Sequence, residues 1–179
     1  MLYLTALFMD SLQFPKLIVI RGNSGAGKGT VAKKVREKSA HKIAIVEQDY
    51  IRRFILKEKE NNPEALPKIT GLIEQTVLFL VNHGYSVILD GILLKERYGD
   101  MLARLKNACP NHYFFYMDVS FEETLKRHAT KPIAHEFGET EMRRWYTPKD
   151  MTGFKGEIVI PESTTIDEAT NLVLSQSGL

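Results

Sequence analysis

The chain has 179 residues, with 24 Lys and Arg against 22 Asp and Glu and a formal net charge of +2. That length fits one domain able to bury a real core, and 44% apolar with 26% charged residues excludes disordered and fibrous classes. Near-neutrality argues against a dedicated duplex-DNA binder, and a single cysteine, Cys109, excludes an internal disulfide framework and a zinc site of paired thiolates. A reducing, cytoplasmic setting is the expectation.

The segment Met1 to Met9 is mostly apolar but lacks a basic leading region, and Asp10 follows at once. It is too short to cross a membrane and poorly built as a signal peptide. Met9 offers an alternative start, with Met1 to Phe8 upstream of it, and residues 1–15 read as an N-terminal extension of a single domain spanning 1–179. No other apolar run approaches membrane length, so no membrane partner is expected.

Leu17 to Ile20 is a continuous apolar run, the pattern of a parallel strand covered on both faces. A glycine-rich turn follows from Gly22 to Gly29, then a helix from Thr30 to Lys38. Ile43 to Val46 reads as the second strand, closing on Glu47-Gln48-Asp49, and Ile51 to Glu60 as helix, broken at Asn61-Asn62-Pro63. Pro67 opens a helix whose apolar face is Ile69, Leu72, Ile73, Val77, Leu80 and Val81, and Gly84 ends it.

Ser86 to Leu89 is the third strand, ending on Asp90-Gly91, with a helix from Leu94 to Ala108 behind it. Tyr113 to Met117 is the fourth strand, and Ser120 to Glu123 a capping box opening a helix through Arg127. A short helix from Glu139 to Tyr146, a fifth strand at Ile158 to Ile160 and a helix from Thr165 to Leu174 complete the chain. Strands and helices that alternate from end to end, each pair of strands separated by helix, predict an α/β doubly wound, five-stranded parallel sheet with helices on both faces and its site at the carboxyl ends of the strands.

The strongest chemical signal is Gly22-Asn23-Ser24-Gly25-Ala26-Gly27-Lys28-Gly29-Thr30. Between a buried strand and a helix, such a loop aims backbone N–H groups and a helix N-terminus at phosphate, and Lys28 reaches the β- and γ-phosphates. The strict pattern sets Ser or Thr directly after the lysine to ligate Mg²⁺; here Gly29 stands there and Thr30 follows. Thr30 is then a phosphate contact, and Mg²⁺ is held by the nucleotide, water and strand-end carboxylates.

The Gly-Lys-Gly-Thr ending resembles that of adenylate kinase and its P-loop relatives. Asp49-Tyr50-Ile51-Arg52 resembles their acceptor-site Asp-x-x-Arg, and Leu89-Asp90-Gly91 their third-strand ending. Adenylate kinases continue with a Pro-Arg pair that grips the acceptor monophosphate, whereas this chain has Ile92-Leu93-Leu94. From Leu17 to about Tyr146 the remaining pattern resembles the P-loop kinases that phosphorylate a hydroxyl: the chloramphenicol phosphotransferase, zeta toxin and polynucleotide kinase group. The resemblance implies ATP and Mg²⁺, with Asp49 as base on the acceptor hydroxyl and Arg52 facing the acceptor.

Asp49 also makes sense alone, since a hydroxyl attacking a γ-phosphate must lose a proton; its alternative is capping the following helix. Asp90 is expected to orient Mg²⁺ through water and to face the substrate, or else to cap the Gly91 turn. Residues 127–150 read as a lid. Arg127 takes the lid-base position of related kinases, where such a residue covers the adenine or neutralises transition-state charge, and Arg143 and Arg144 precede Trp145. Surface ion pairs with Glu136, Glu139, Glu141 and Asp150 are the alternative. Trp145 is expected to anchor this lid, and Lys33, Lys34, Arg36 and Lys38 to form a solvated helix face.

The expected function is transfer of the ATP γ-phosphate to a hydroxyl of a small molecule such as a nucleoside, sugar derivative or antibiotic. A nucleic-acid 5′-hydroxyl kinase is disfavoured for want of a basic track. A GTPase switch lacks its base-specifying motif, with Met117-Asp118-Val119-Ser120 in that place. A non-catalytic ATP-binding module stays open as the rival.

Overall fold

The computed structural model describes residues 14–59, 62–130 and 135–179. Strands β1 (Leu17–Gly22), β2 (Ile43–Glu47), β3 (Ser86–Gly91), β4 (His112–Asp118) and β5 (Ile158–Pro161) form one parallel sheet, ordered β2-β3-β1-β4-β5. The helices are α1 (Lys28–Lys38); α2, starting as Gln48–Tyr50 and continuing as a π-helical turn, Ile51–Ile55; α3 (Leu66–Asn82); α4 (Lys95–Ala108); α5 (Phe121–Ala129); α6 (Glu139–Trp145); and α7 (Ile166–Ser177).

Every predicted strand is present, and most run on past their apolar stretch. On β1, Arg21 and Gly22 continue the register opposite Tyr116 and Met117 of β4. Alternation divides the sheet between two cores. Leu17, Val19, Val87 and Leu89 pack on Ile69, Ile73 and Val77 of α3 and on Met101 and Leu105 of α4. Ile18, Ile20, Ile88 and Phe115 point the other way, onto Val31 and Val35 of α1 and Ala169 and Val173 of α7. Because β1 lies between β3 and β4, the chain crosses to opposite sides of it, and a crevice opens at the carboxyl ends of these strands.

Two local expectations are corrected. The helix read from Ile51 to Glu60 leaves helical geometry after Ile55, and Lys57 takes a positive φ of 54°; Glu60 and Asn61 lie outside the described residues. The reason is where the apolar anchors fall. Ile51 is buried and Leu56 packs against the same core, while Phe54 and Ile55 are exposed. A spacing of five suits a π turn, closed by Leu56 N–H to Ile51 C=O at 2.9 Å. Asn62 then caps a 3₁₀ turn at Pro63–Ala65 that leads into α3.

The second correction concerns the capping box. Ser120 Oγ accepts from Glu123 N–H, but the Glu123 carboxylate turns to Arg127, and Ser120 N–H donates to Glu162 instead. The full box is at α7, between Thr165 and Glu168. Among the described residues no helix is long and apolar enough to cross a membrane.

Candidate active site

The glycine-rich loop leaves β1 at the crevice. Gly25 has φ of 83°, and a Cβ there would lie 2.6 Å from the Thr124 carbonyl oxygen, so both backbone shape and space demand glycine. Helix α1 starts from Gly27 with no side-chain cap and no acidic residue in its first turn, which suits its positive end to an anion. Lys28 is buried, with Nζ 3.0 Å from the Asn23 carbonyl oxygen. On the expectation of a kinase, exchanging it for methionine keeps the packing but removes the cation, and should lower phosphoryl transfer about 10²–10³-fold. Steady-state ADP release checks this, with circular dichroism to confirm the fold.

A cavity of about 730 Å³ opens over the loop. Ser24, Gly25, Gly27, Lys28, Gly29 and Thr30 line it, joined by Lys33. Asn23 faces elsewhere: its amide pairs with the peptide of Thr147, donating to the carbonyl at 2.9 Å and accepting from the N–H at 3.0 Å. Ala26 is buried, and its carbonyl accepts from Arg127.

The second wall is α2. Asp49 is 53% exposed and lies inside the helix, whose N-cap is Glu47, so it caps nothing. Its Oδ1 accepts from Arg52 Nη2 at 2.5 Å and its Oδ2 from Arg53 Nη1 at 3.3 Å. The π turn carries both arginines back to the cavity, which Asp49, Arg52 and Arg53 all line. Arg53 also donates to Glu136 at 2.6 Å, a pairing that holds the Glu136 carboxyl below its ordinary value.

The floor is carboxylate. Asp90, next to last in β3 and 8% exposed, is in register with Glu47 at the end of β2, and both line the cavity. A Cβ on Gly29 would stand 3.1 Å from Asp90 Oδ2. The glycine after Lys28 therefore lies against a carboxylate, and oxygen donors of this kind suit a hard divalent cation held largely through water.

The lid residues divide. Arg127 is fixed behind the phosphate loop, donating to Glu123, to the Ala26 carbonyl and to the Glu162 carbonyl at 2.8–3.0 Å. Arg143 pairs with Glu139 and lies 4.2 Å over the Phe121 ring. Neither it nor Arg144 is among the cavity-lining residues; Glu136, Phe137, Glu141 and Trp145 are. Phe137 stacks on His128 at 4.4 Å and meets Trp145 edge-on at 5.1 Å, so Trp145 both anchors the segment and walls the cavity. Lys131, four residues beyond Arg127 in the sequence, lies outside the described residues.

Arg21 carries no signal as a site residue, yet it organises the surroundings. It is fully buried, donates twice to the Leu93 carbonyl, and pairs with Asp150 at 2.6 Å and Glu157 at 3.0 Å. Asp150 in turn accepts from Lys95 N–H at the start of α4. Alternation alone places Arg21 on the inward face with Leu17 and Val19, the one hint available. The cavity positions of Glu47 and Glu136 escaped the sequence because each is an ordinary charged residue whose neighbour lies on another element, Asp90 on β3 and Arg53 on α2; Lys33, which reads as a solvated face, and Arg53, which reads equally as acceptor-facing or solvated charge, line the cavity as well.

A model of the zeta toxin family matches residues 3–144. No curated protein matches the chain. Among solved structures it is similar to an APS kinase of Mycobacterium tuberculosis in complex with AMPPNP and APS, at 15% identity over 92% of this chain and 98% of that one, TM-score 0.72. It is similar also to a gluconokinase from Sinorhizobium meliloti (17% identity, 92% and 93%, TM-score 0.63) and to the Deinococcus radiodurans tunicamycin resistance protein (15%, 92% and 96%, TM-score 0.62). At these identities the likeness establishes the fold, that of a P-loop kinase.

Proposed function

The chain belongs to the zeta toxin family, and on that premise we propose that it moves the γ-phosphoryl group of ATP to a hydroxyl of a small molecule. The observation that carries the reading is the shared cavity: phosphate loop, Lys28, Asp49, Arg52 and Asp90 line one space. The solved neighbours support it at a coarse level, since they include kinases of small molecules.

In this reading the loop N–H groups and Lys28 hold the triphosphate, with Ser24 and Thr30 at its edge. The acceptor lies between α2 and the lid. Its oxygen bonds to the γ-phosphorus as the bond from that phosphorus to the bridging oxygen breaks; the hydroxyl proton passes to Asp49, and ADP leaves with the bridging oxygen. Arg52 and Arg53 stand beside the incoming group and favour an acceptor with anionic character. Arg127, between the Ala26 and Glu162 carbonyls, covers the base. Arg143 and Arg144 would have to leave their present places to reach the phosphates, and no step is assigned to them.

Mg²⁺ fits the floor. Asp90, with Glu47 beside it, would hold the ion through water, and the ion would neutralise charge on the phosphate oxygens.

The test is a panel of uridine, glucose, D-gluconate, kanamycin and chloramphenicol, scored by ADP release. One class is expected to raise release well above the rate with water. Equal slow release with all of them would favour a non-catalytic ATP-binding module.

A further inference from the structure

Arg53 stands between two carboxylates. Its Nη2 donates to Glu136 Oε2 at 2.6 Å, and its Nη1 to Asp49 Oδ2 at 3.3 Å. Glu136 lies between α5 and α6, and Asp49 on α2, so one guanidinium joins the lid segment to the acceptor wall. The remaining Asp49 oxygen accepts from Arg52. All four side chains line the same cavity.

A carboxylate offers about four lone-pair directions. Here one guanidinium nitrogen takes one direction on each oxygen of Asp49, and others remain for an acceptor hydroxyl. Arginine and carboxylate favour a bidentate fork, which fills more of those directions. What stands against the fork is Glu136, which holds the other end of Arg53 at the shorter distance.

We propose that Glu136 is a positioning residue for phosphoryl transfer: it holds Arg53 from the lid side, and through Arg53 it sets the orientation of the Asp49 carboxylate toward the acceptor. This rests on Asp49 being the base. With Glu136 drawn away, Arg53 closes onto Asp49 and obstructs it. The acceptor wall is therefore competent only with the lid segment in place, which restrains transfer to water from an open site.

The test is a double-mutant cycle on Glu136→Gln and Asp49→Asn, measured by single-turnover ADP release with the fastest acceptor of the panel, water included. Glu136→Gln is expected to lower the rate about 10–10²-fold, the scale of a misplacement away from the chemistry, with KM for ATP unchanged. In the Asp49→Asn background the same change is expected to add no further loss, because its effect passes through Asp49. Trp145, the sole tryptophan, walls the cavity and touches Phe137; its emission on adding AMPPNP with Mg²⁺ reports whether each variant still seats its lid.

An undiminished rate in Glu136→Gln overturns the proposal while leaving the base assignment standing. A further loss on top of Asp49→Asn overturns it as well, since a lid latch alone would act whether or not Asp49 is present. An undiminished rate in Asp49→Asn removes the base assignment, and this inference falls with it.

Discussion

Exchanging Asp49 for asparagine is expected to lower phosphoryl transfer by about 10²–10⁴-fold while leaving ATP affinity nearly unchanged. The substitution is isosteric, and the groups proposed to hold the triphosphate lie on a different element, the loop between β1 and α1. What is lost is the proposed proton acceptor. An amide offers one oxygen where the carboxylate offers two, so one of the contacts from Arg52 and Arg53 would meet an N–H group and break. The rate loss therefore contains a share from displaced arginines. Asp49→Glu separates the shares: it keeps the base and both anionic oxygens but moves them by one methylene. Turnover with the panel acceptor and ATP binding by calorimetry are the measurements. Unchanged turnover in Asp49→Asn would remove the base assignment.

The other large effect concerns stability. Arg21→Met is expected to cost about 3–5 kcal/mol, the usual result of breaking a buried ion pair from one side, and to lower the melting temperature by about 6–20 °C for a chain of this size. Glu157 has only 2% of its side chain exposed and would keep its charge facing apolar methionine. Thr152 offers partial relief, since its N–H and hydroxyl both donate to the other Glu157 oxygen. Asp150, at 14% exposure, has more access to water and also serves the start of α4. The double variant Arg21→Met with Glu157→Gln should recover part of the loss, because the more deeply buried of the two abandoned carboxylates is then neutral. Calorimetric melting of both variants decides it; equal melting temperatures for wild type and Arg21→Met would mean that the network contributes nothing net.

Much of the molecule was legible in the sequence, and the parts that were not share a cause. The strands could be read because burial on both faces writes an unbroken apolar run, as in Leu17 to Ile20. The phosphate loop was legible because its glycines answer to backbone geometry within a few residues. Asp49 and Asp90 were located by standing at strand ends, where topology gathers chemistry. Lys33 was read as a solvated face and proves to line the cavity. Its neighbour Lys34 pairs with Asp167 on α7, so the basic face of the first helix meets the last helix in space. Arg53 follows Arg52 where an acceptor would lie but reads equally as solvated charge, since its partner Glu136 is 83 residues away. Asp150 lies far along the chain from the third strand, yet its carboxylate accepts from Lys95 beyond that strand's end. Pairings of this kind depend on tertiary proximity, which no local pattern encodes.

The π turn bears on how this wall of the cavity can change. Ile51 and Leu56 set the count of residues between two core anchors, and Arg52 and Arg53 ride on that count. Phe54 and Ile55 are exposed, so their identities are open to drift. Their number is not: a single deletion would tighten the turn to α-helical spacing and rotate the arginines by about 100° relative to the core. Selection on this stretch therefore acts on length more strictly than on letters.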